Sequence, residues 1–91
     1  MLTIKRTTQF KRDFRRILRQ GYDIAALTEV IEKLANNEPL PENYHDHELK
    51  GDWNNFRECH IKPDWLLIYR KNEQELILTL TRTGSHSDLF Y

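Results

Sequence analysis

His47, His60, Asp64, Arg82 and His86 are the side chains whose types and spacing allow acid–base chemistry. An ordinary histidine titrates near pH 6.5, so it can give or take a proton at neutral pH. A carboxylate such as Asp64 can orient an imidazole, and a planar guanidinium such as Arg82 grips phosphate oxygens in pairs. Together these groups suit metal-independent cleavage of RNA. A base takes the proton from a 2′-OH, an acid protonates the leaving 5′-oxygen, and a cation stabilises the crowded phosphate. Each residue also has a quieter reading. His45 and His47 lie in a polar loop, and His45 reads as a plain surface residue. His60 can hydrogen-bond Glu58 or Asp64, Asp64 can be only the turn residue after Pro63, and Arg82 can pair with Asp88. Ser85 and Ser87 can cap a turn around His86. Phe90 and Tyr91 can pack on the core, or Phe90 can stack on a base. The histidines with Asp64 also contain zinc-ligand types. However, there is no helical HxxxH pair, no paired cysteine and no local ligand cluster, so no metal site is expected.

These residues need elements to hold them. Leu2-Thr3-Ile4 is a short β-prone opening. Thr7 or Thr8 can cap a helix on which Phe10, Phe14, Ile17 and Leu18 recur at helical spacing, with Arg12, Arg15 and Arg19 opposite. Gly21 ends it as a left-handed C-cap would. Asp23 can cap a second helix with a Leu27, Val30, Ile31, Leu34 stripe, stopped by Asn36-Asn37 and Pro39-Leu40-Pro41. Beyond residue 44 the period changes. His47 to Lys50 reads as a short strand. Phe56 to Ile61 alternates, with Phe56, Glu58 and His60 on one face. Lys62-Pro63-Asp64 turns, Trp65 to Tyr69 is an apolar central strand, Lys71-Asn72-Glu73 turns again, and Leu76 to Thr81 is the last strand. Helices followed by strands predict an α+β fold, with two N-terminal helices packed on an antiparallel β-sheet. Strict alternation puts Arg82 on the face of Leu76, Leu78 and Leu80, which would point it into the core. A bulge or an earlier strand end would release it.

The chain has 91 residues, which predicts one domain over 1–91. No apolar run approaches the roughly 20 residues of a membrane span. Cys59 is the only cysteine, and no signal-peptide stretch opens the chain, so a cytoplasmic protein is expected. Lys and Arg together number 14, as do Asp and Glu, giving zero formal net charge. The charge is unevenly spread. Lys5, Arg6, Lys11, Arg12, Arg15, Arg16 and Arg19 face only Asp13 in the first 20 residues. One basic face on a neutral molecule can attract phosphate.

Three blocks carry a resemblance: Asp46-His47-Glu48-Leu49-Lys50-Gly51 with Trp53, then Phe56 through Tyr69, then Arg82-Thr83-Gly84-Ser85-His86-Ser87-Asp88-Leu89-Phe90. In this order and spacing they resemble the YafQ-like branch of the RelE/ParE superfamily of bacterial toxins. The resemblance implies two helices on an antiparallel sheet with a short C-terminal helical turn. It also implies a type II toxin that cuts mRNA on the 70S ribosome, leaving a 2′,3′-cyclic phosphate and a 5′-OH. A cognate antitoxin protein is implied as partner, with no membrane, metal or small-molecule cofactor. His47, His60, Asp64, Arg82 and His86 match the catalytic positions, while Phe90, Lys50 and Trp65 are implied to contact RNA. His86 and Asp64 would carry the proton transfers, His60 and His47 would assist or position the RNA, and Arg82 would hold the scissile phosphate. Two rival readings share the fold: a gyrase-directed toxin and a non-catalytic ribosome- or RNA-binding protein. Only an RNA-cutting chain needs the His60, Asp64, Arg82, His86 set.

Overall fold

In the computed structural model, which describes residues 1–90, the chain runs β1 (Thr3–Arg6), α1 (Thr8–Arg19), α2 (Ile24–Ala35), β2 (His47–Glu48), β3 (Arg57–Lys62), β4 (Trp65–Asn72), β5 (Ile77–Gly84) and α3 (His86–Phe90). Single turns of 3₁₀ helix at Glu42–Tyr44 and Gly51–Trp53 flank β2. Tyr91, whose packing the sequence raised, lies outside the described residues.

Local chemistry sets the helix ends. The Thr7 hydroxyl accepts the Phe10 N–H at 2.9 Å and caps α1. Gly21, at φ 77°, closes it. The Gly21 N–H reaches Leu18 O and the Tyr22 N–H reaches Ile17 O, the paired bonds of a Schellman ending. Asn37, at φ 57°, ends α2 in the same way through Leu34 O and Lys33 O. Asp23 occupies the N-cap position of α2, but its side chain makes no capping bond there.

The five strands lie in the order β1-β5-β4-β3-β2. Strands β2 to β5 form the expected antiparallel meander, whereas β1 pairs parallel to β5, with Ile4 opposite Leu78 and Arg6 opposite Leu80. The sheet is therefore mixed at one edge. α1 and α2 cover one face, burying Phe10, Ile17, Leu27, Val30 and Leu34 against Cys59, Ile61, Trp65, Leu67, Tyr69, Leu78 and Leu80. The other face carries a smaller cluster of Leu66, Ile68 and Leu89, with Leu49, Trp53 and Phe56 packed against it.

The Arg82 question resolves at a register shift. Tyr69 pairs with Leu80 and Ile68 pairs with Arg82, so Thr81 is an extra residue that reverses the parity of β5. Leu78 and Leu80 face the helices, and Arg82 leaves the sheet on the open face beside Ile68. β1 stops short of this segment, and polar side chains of α1 take over the edge of β5. Thr7 Oγ1 donates to Thr81 O at 2.8 Å, the Thr83 N–H donates to Asp13 Oδ2 at 3.2 Å, and Arg16 Nη2 donates to Thr83 O at 3.1 Å.

Candidate active site

Register places the candidate residues in two rows on the open face. In one row His47 pairs with Glu58, Glu58 with Ile68, and Ile68 with Arg82. In the next, His60 pairs with Leu66 and Leu66 with Gly84, from which Ser85 leads into α3 and His86. Reciprocal bonds build the start of α3. Ser85 Oγ accepts the Asp88 N–H at 3.2 Å, and Asp88 Oδ2 accepts the Ser85 N–H at 3.1 Å.

That capped turn lays His86 over the middle of the sheet. Its ring centroid is 5.7 Å from that of His60, which in turn is 6.4 Å from His47 and 5.6 Å from His45. All four histidines of the chain thus form one group, including His45, which the sequence had read as plain surface. The reason is the backbone at His45, whose φ of 49° turns the loop back on the sheet. Asp46 pins that loop, accepting from the Tyr69 hydroxyl at 2.5 Å and from Arg57 Nε at 3.3 Å. Burial, then the bond to Asp46, pushes the Tyr69 phenol above its ordinary range. A groove of about 590 Å³ opens beside the rings, between His45, His60 and Pro63.

Hydrogen bonds orient three of the rings. Asp64 Oδ1 lies 2.6 Å from His86 Nδ1 and also accepts the His86 backbone N–H at 3.1 Å. These two bonds from His86 hold the Asp64 carboxyl below its ordinary pKa. With Nδ1–H directed at the carboxylate, His86 keeps Nε2 for a substrate. His60 Nδ1 lies 3.3 Å from Pro63 O, not against Glu58 or Asp64. His47 has Nδ1 2.6 Å from His45 O and Nε2 3.1 Å from Glu58 Oε2. Glu58 is almost fully buried, and its other oxygen has no partner among the described residues. The sequence offered Glu58 as a hydrogen-bond partner for His60, whereas its histidine partner is His47.

Arg82 is held apart from the rings. Its Nε and Nη2 donate to the two Asp13 oxygens at 2.8 and 3.1 Å, so its partner is Asp13 and not Asp88. Of the residues implied to meet RNA, Phe90 is exposed and stands edge-on to Trp53 at 6.3 Å. Trp53 in turn stands edge-on to Phe56, over which the Arg70 guanidinium lies. Lys50 is exposed just before the Gly51–Trp53 turn. Trp65 does not fit an RNA contact. It lies on the helix face at 3% exposure, its indole N–H bonded to Thr83 Oγ1 at 2.9 Å and its ring edge-on to Tyr22 at 4.9 Å. β4 is an apolar run on both faces, so its sequence did not reveal which way Trp65 points.

Comparison with known proteins matches residues 2–91 to the family described as bacterial toxin of type II toxin-antitoxin system, YafQ. The mRNA interferase toxin YafQ of Escherichia coli K12 is 36% identical over 88 residues, which covers 96% of this chain and 94% of the relative. A crystal structure of a metal-bound toxin from Helicobacter pylori is 47% identical at a TM-score of 0.93, covering 99% of this chain and all of the other. The E. coli DinJ–YafQ complex superimposes at a TM-score of 0.90 with 35% identity over the full length of both chains. Among the described residues, no three His, Cys, Asp or Glu side chains are grouped to hold one ion. No described helix is long and apolar enough to cross a membrane.

Proposed function

Because the chain belongs to the YafQ family of type II toxins, we propose that it is an mRNA endoribonuclease that cuts on the 70S ribosome and is silenced by a cognate antitoxin protein. The observation that carries this reading is the Asp64–His86 pair set against His60 on the open face. Residues 1–91 act as a single domain in this account.

Cleavage needs two proton transfers and no cofactor. The 2′-oxygen attacks the adjacent phosphorus as its proton passes to a base. The bond to the 5′-oxygen breaks as that oxygen takes a proton, leaving a 2′,3′-cyclic phosphate and a 5′-OH. His86, with Nδ1 fixed on Asp64 and Nε2 available, is the residue built for these transfers. His60 is the second imidazole within reach, and His47, tied to Glu58, positions the RNA. Coupled groups share their titration, so the acid and base steps belong to the His86, Asp64, His60 set as a unit. Arg82 supplies positive charge to the phosphate, Phe90 a stacking face for a base, and exposed Lys50 a backbone contact.

The test is to map 5′-OH ends of mRNA after induction of wild type and of His86→Ala. His86 is half exposed, so its removal leaves the fold intact. The wild type yields new 5′-OH ends within reading frames. The variant yields about 10²- to 10⁴-fold fewer, the range that a positioned acid–base group contributes. A folded His86→Ala protein that cuts at the wild-type rate would remove the central assignment.

A further inference from the structure

We propose that Asp13 is a positioning residue for RNA cleavage, holding the Arg82 guanidinium in one orientation at the margin of the open face. This rests on the reading above that Arg82 meets the scissile phosphate.

Asp13 lies on the apolar stripe of α1, between Phe10, Phe14 and Ile17, and is fully buried. A carboxylate is an expensive choice there. Well-packed apolar groups in place of a buried ion pair are often neutral or stabilising, so packing alone gives no reason for a charge. What the charge does is visible in its partners. Arg82 contributes Nε at 2.8 Å and Nη2 at 3.1 Å, the Thr83 N–H approaches at 3.2 Å, and Gln9 Nε2 and Arg16 Nη1 each approach at 3.2 Å. Arg82 directly follows the β5 bulge, where the strand no longer has β1 beside it. A long flexible side chain at such a point has many rotamers, and the two-point bond to Asp13 selects one. That bond uses Nε–H and one Nη2–H. It leaves both Nη1 hydrogens and the other Nη2 hydrogen for an anion. Asp13 therefore belongs to the site through Arg82, although it comes from the helix layer.

The test compares Asp13→Asn, Arg82→Ala and the double variant in single-turnover cleavage on mRNA-programmed ribosomes. Each rate is taken per folded molecule. Asp13→Asn keeps the size of the side chain but removes its charge. It lowers the maximal rate by roughly 10- to 100-fold, the scale of a misplaced catalytic group, while the concentration of programmed ribosomes at half-saturation stays within about twofold. The double variant is no slower than Arg82→Ala, because Asp13 acts only through that arginine. Ile17→Val, a core change on the same helix that leaves the Asp13–Arg82 bond in place, keeps the wild-type rate. Full activity of Asp13→Asn beside an inactive Arg82→Ala, or losses that multiply in the double variant, overturns the role of Asp13 alone. Full activity of Arg82→Ala instead removes the phosphate reading and this role with it. The wild-type protein supplies an arm that needs no folded variant. In its NMR spectrum the Arg82 Nε–H exchanges with water at least tenfold more slowly than that of exposed Arg12, and equal exchange of the two overturns the proposal.

Discussion

Replacing Trp65 with Phe separates packing from RNA contact. The resemblance gave Trp65 a place on RNA, whereas its indole is almost wholly buried, edge-on to Tyr22. The change removes the 2.9 Å bond from Nε1–H to Thr83 Oγ1, worth about 1 kcal/mol. Thr83 Oγ1 still donates to Leu66 O at 2.8 Å, so the hydroxyl loses one partner and keeps the other. The smaller ring leaves a void of about 35 Å³, which at roughly 24 cal/mol per Å³ costs about 0.8 kcal/mol. The edge-on contact with Tyr22 survives in kind, since phenylalanine also presents an aromatic edge. The sum is about 2 kcal/mol, and for a domain of this size it lowers Tm by roughly 8–16 °C. Far-UV circular dichroism on heating and in urea measures it. Translation-coupled cleavage, run at a temperature where both proteins are folded, should show the wild-type rate. A Trp65→Phe protein of wild-type stability that has lost cleavage would refute the burial argument and return Trp65 to the RNA.

Three further outcomes follow from the same contacts. Burial alone would raise the Asp13 pKa, but hydrogen bonds from Arg82, Gln9 and the Thr83 N–H outweigh it and leave the carboxyl below its ordinary value. A carboxyl depressed in the folded state contributes stability that is whole above its unfolded pKa of about 3.9 and fades as pH falls through the folded value. The urea midpoint of the wild type should thus drop more steeply below about pH 4 than that of Asp13→Asn, and parallel acid limbs would contradict this. Gly84 has φ 151°, and a Cβ there would lie 2.6 Å from Arg16 Nη2 and 3.1 Å from Asp88 Cβ. Gly84→Ala should therefore displace Arg16 from Thr83 O and strain the backbone, costing about 2 kcal/mol in urea denaturation, and a variant of wild-type stability would contradict this. A chelator selective for transition metals, with magnesium kept in excess for the ribosome, should leave the cleavage rate unchanged. Loss of activity restored by one added metal would overturn the acid–base account.

Local patterns made most of the fold legible. The Phe10, Phe14, Ile17 spacing, Gly21 and the Lys62-Pro63-Asp64 turn each act over a few residues, and each predicted element forms. What escaped depends on contacts far apart in the chain. β1 is four residues long, and nothing within it says that it will lie parallel to a strand more than seventy residues away. Asp13 read as one acid on a basic helix because its partner, Arg82, is 69 residues distant. The bulge at Thr81 was one of two open alternatives, since alternation within β5 contains no trace of the register of β4. His45 seemed ordinary because its place beside His60 comes from a left-handed backbone turn and from Asp46 bonded to Tyr69, neither of which has a local period.

The rows on the open face also limit how the candidate residues can share one substrate. His47 and Arg82 stand at opposite ends of a row that crosses three strand intervals, about 14 Å at the usual spacing. Arg82 turns toward Asp13 at the outer edge of β5, which lengthens that span. One phosphate cannot touch both. α3 brings His86 back to within 5.7 Å of His60, so on the proposed reading these two imidazoles act around one scissile bond, which Arg82 meets from its place beside Asp13. On the proposed reading His47, fixed between Glu58 and the His45 carbonyl, meets a neighbouring nucleotide. On this geometry His47→Ala weakens RNA binding more than it slows the bound reaction, whereas His86→Ala does the reverse. Saturation curves on programmed ribosomes distinguish the two, and a His47→Ala enzyme with unchanged half-saturation and a collapsed maximal rate would show that the row is bridged after all.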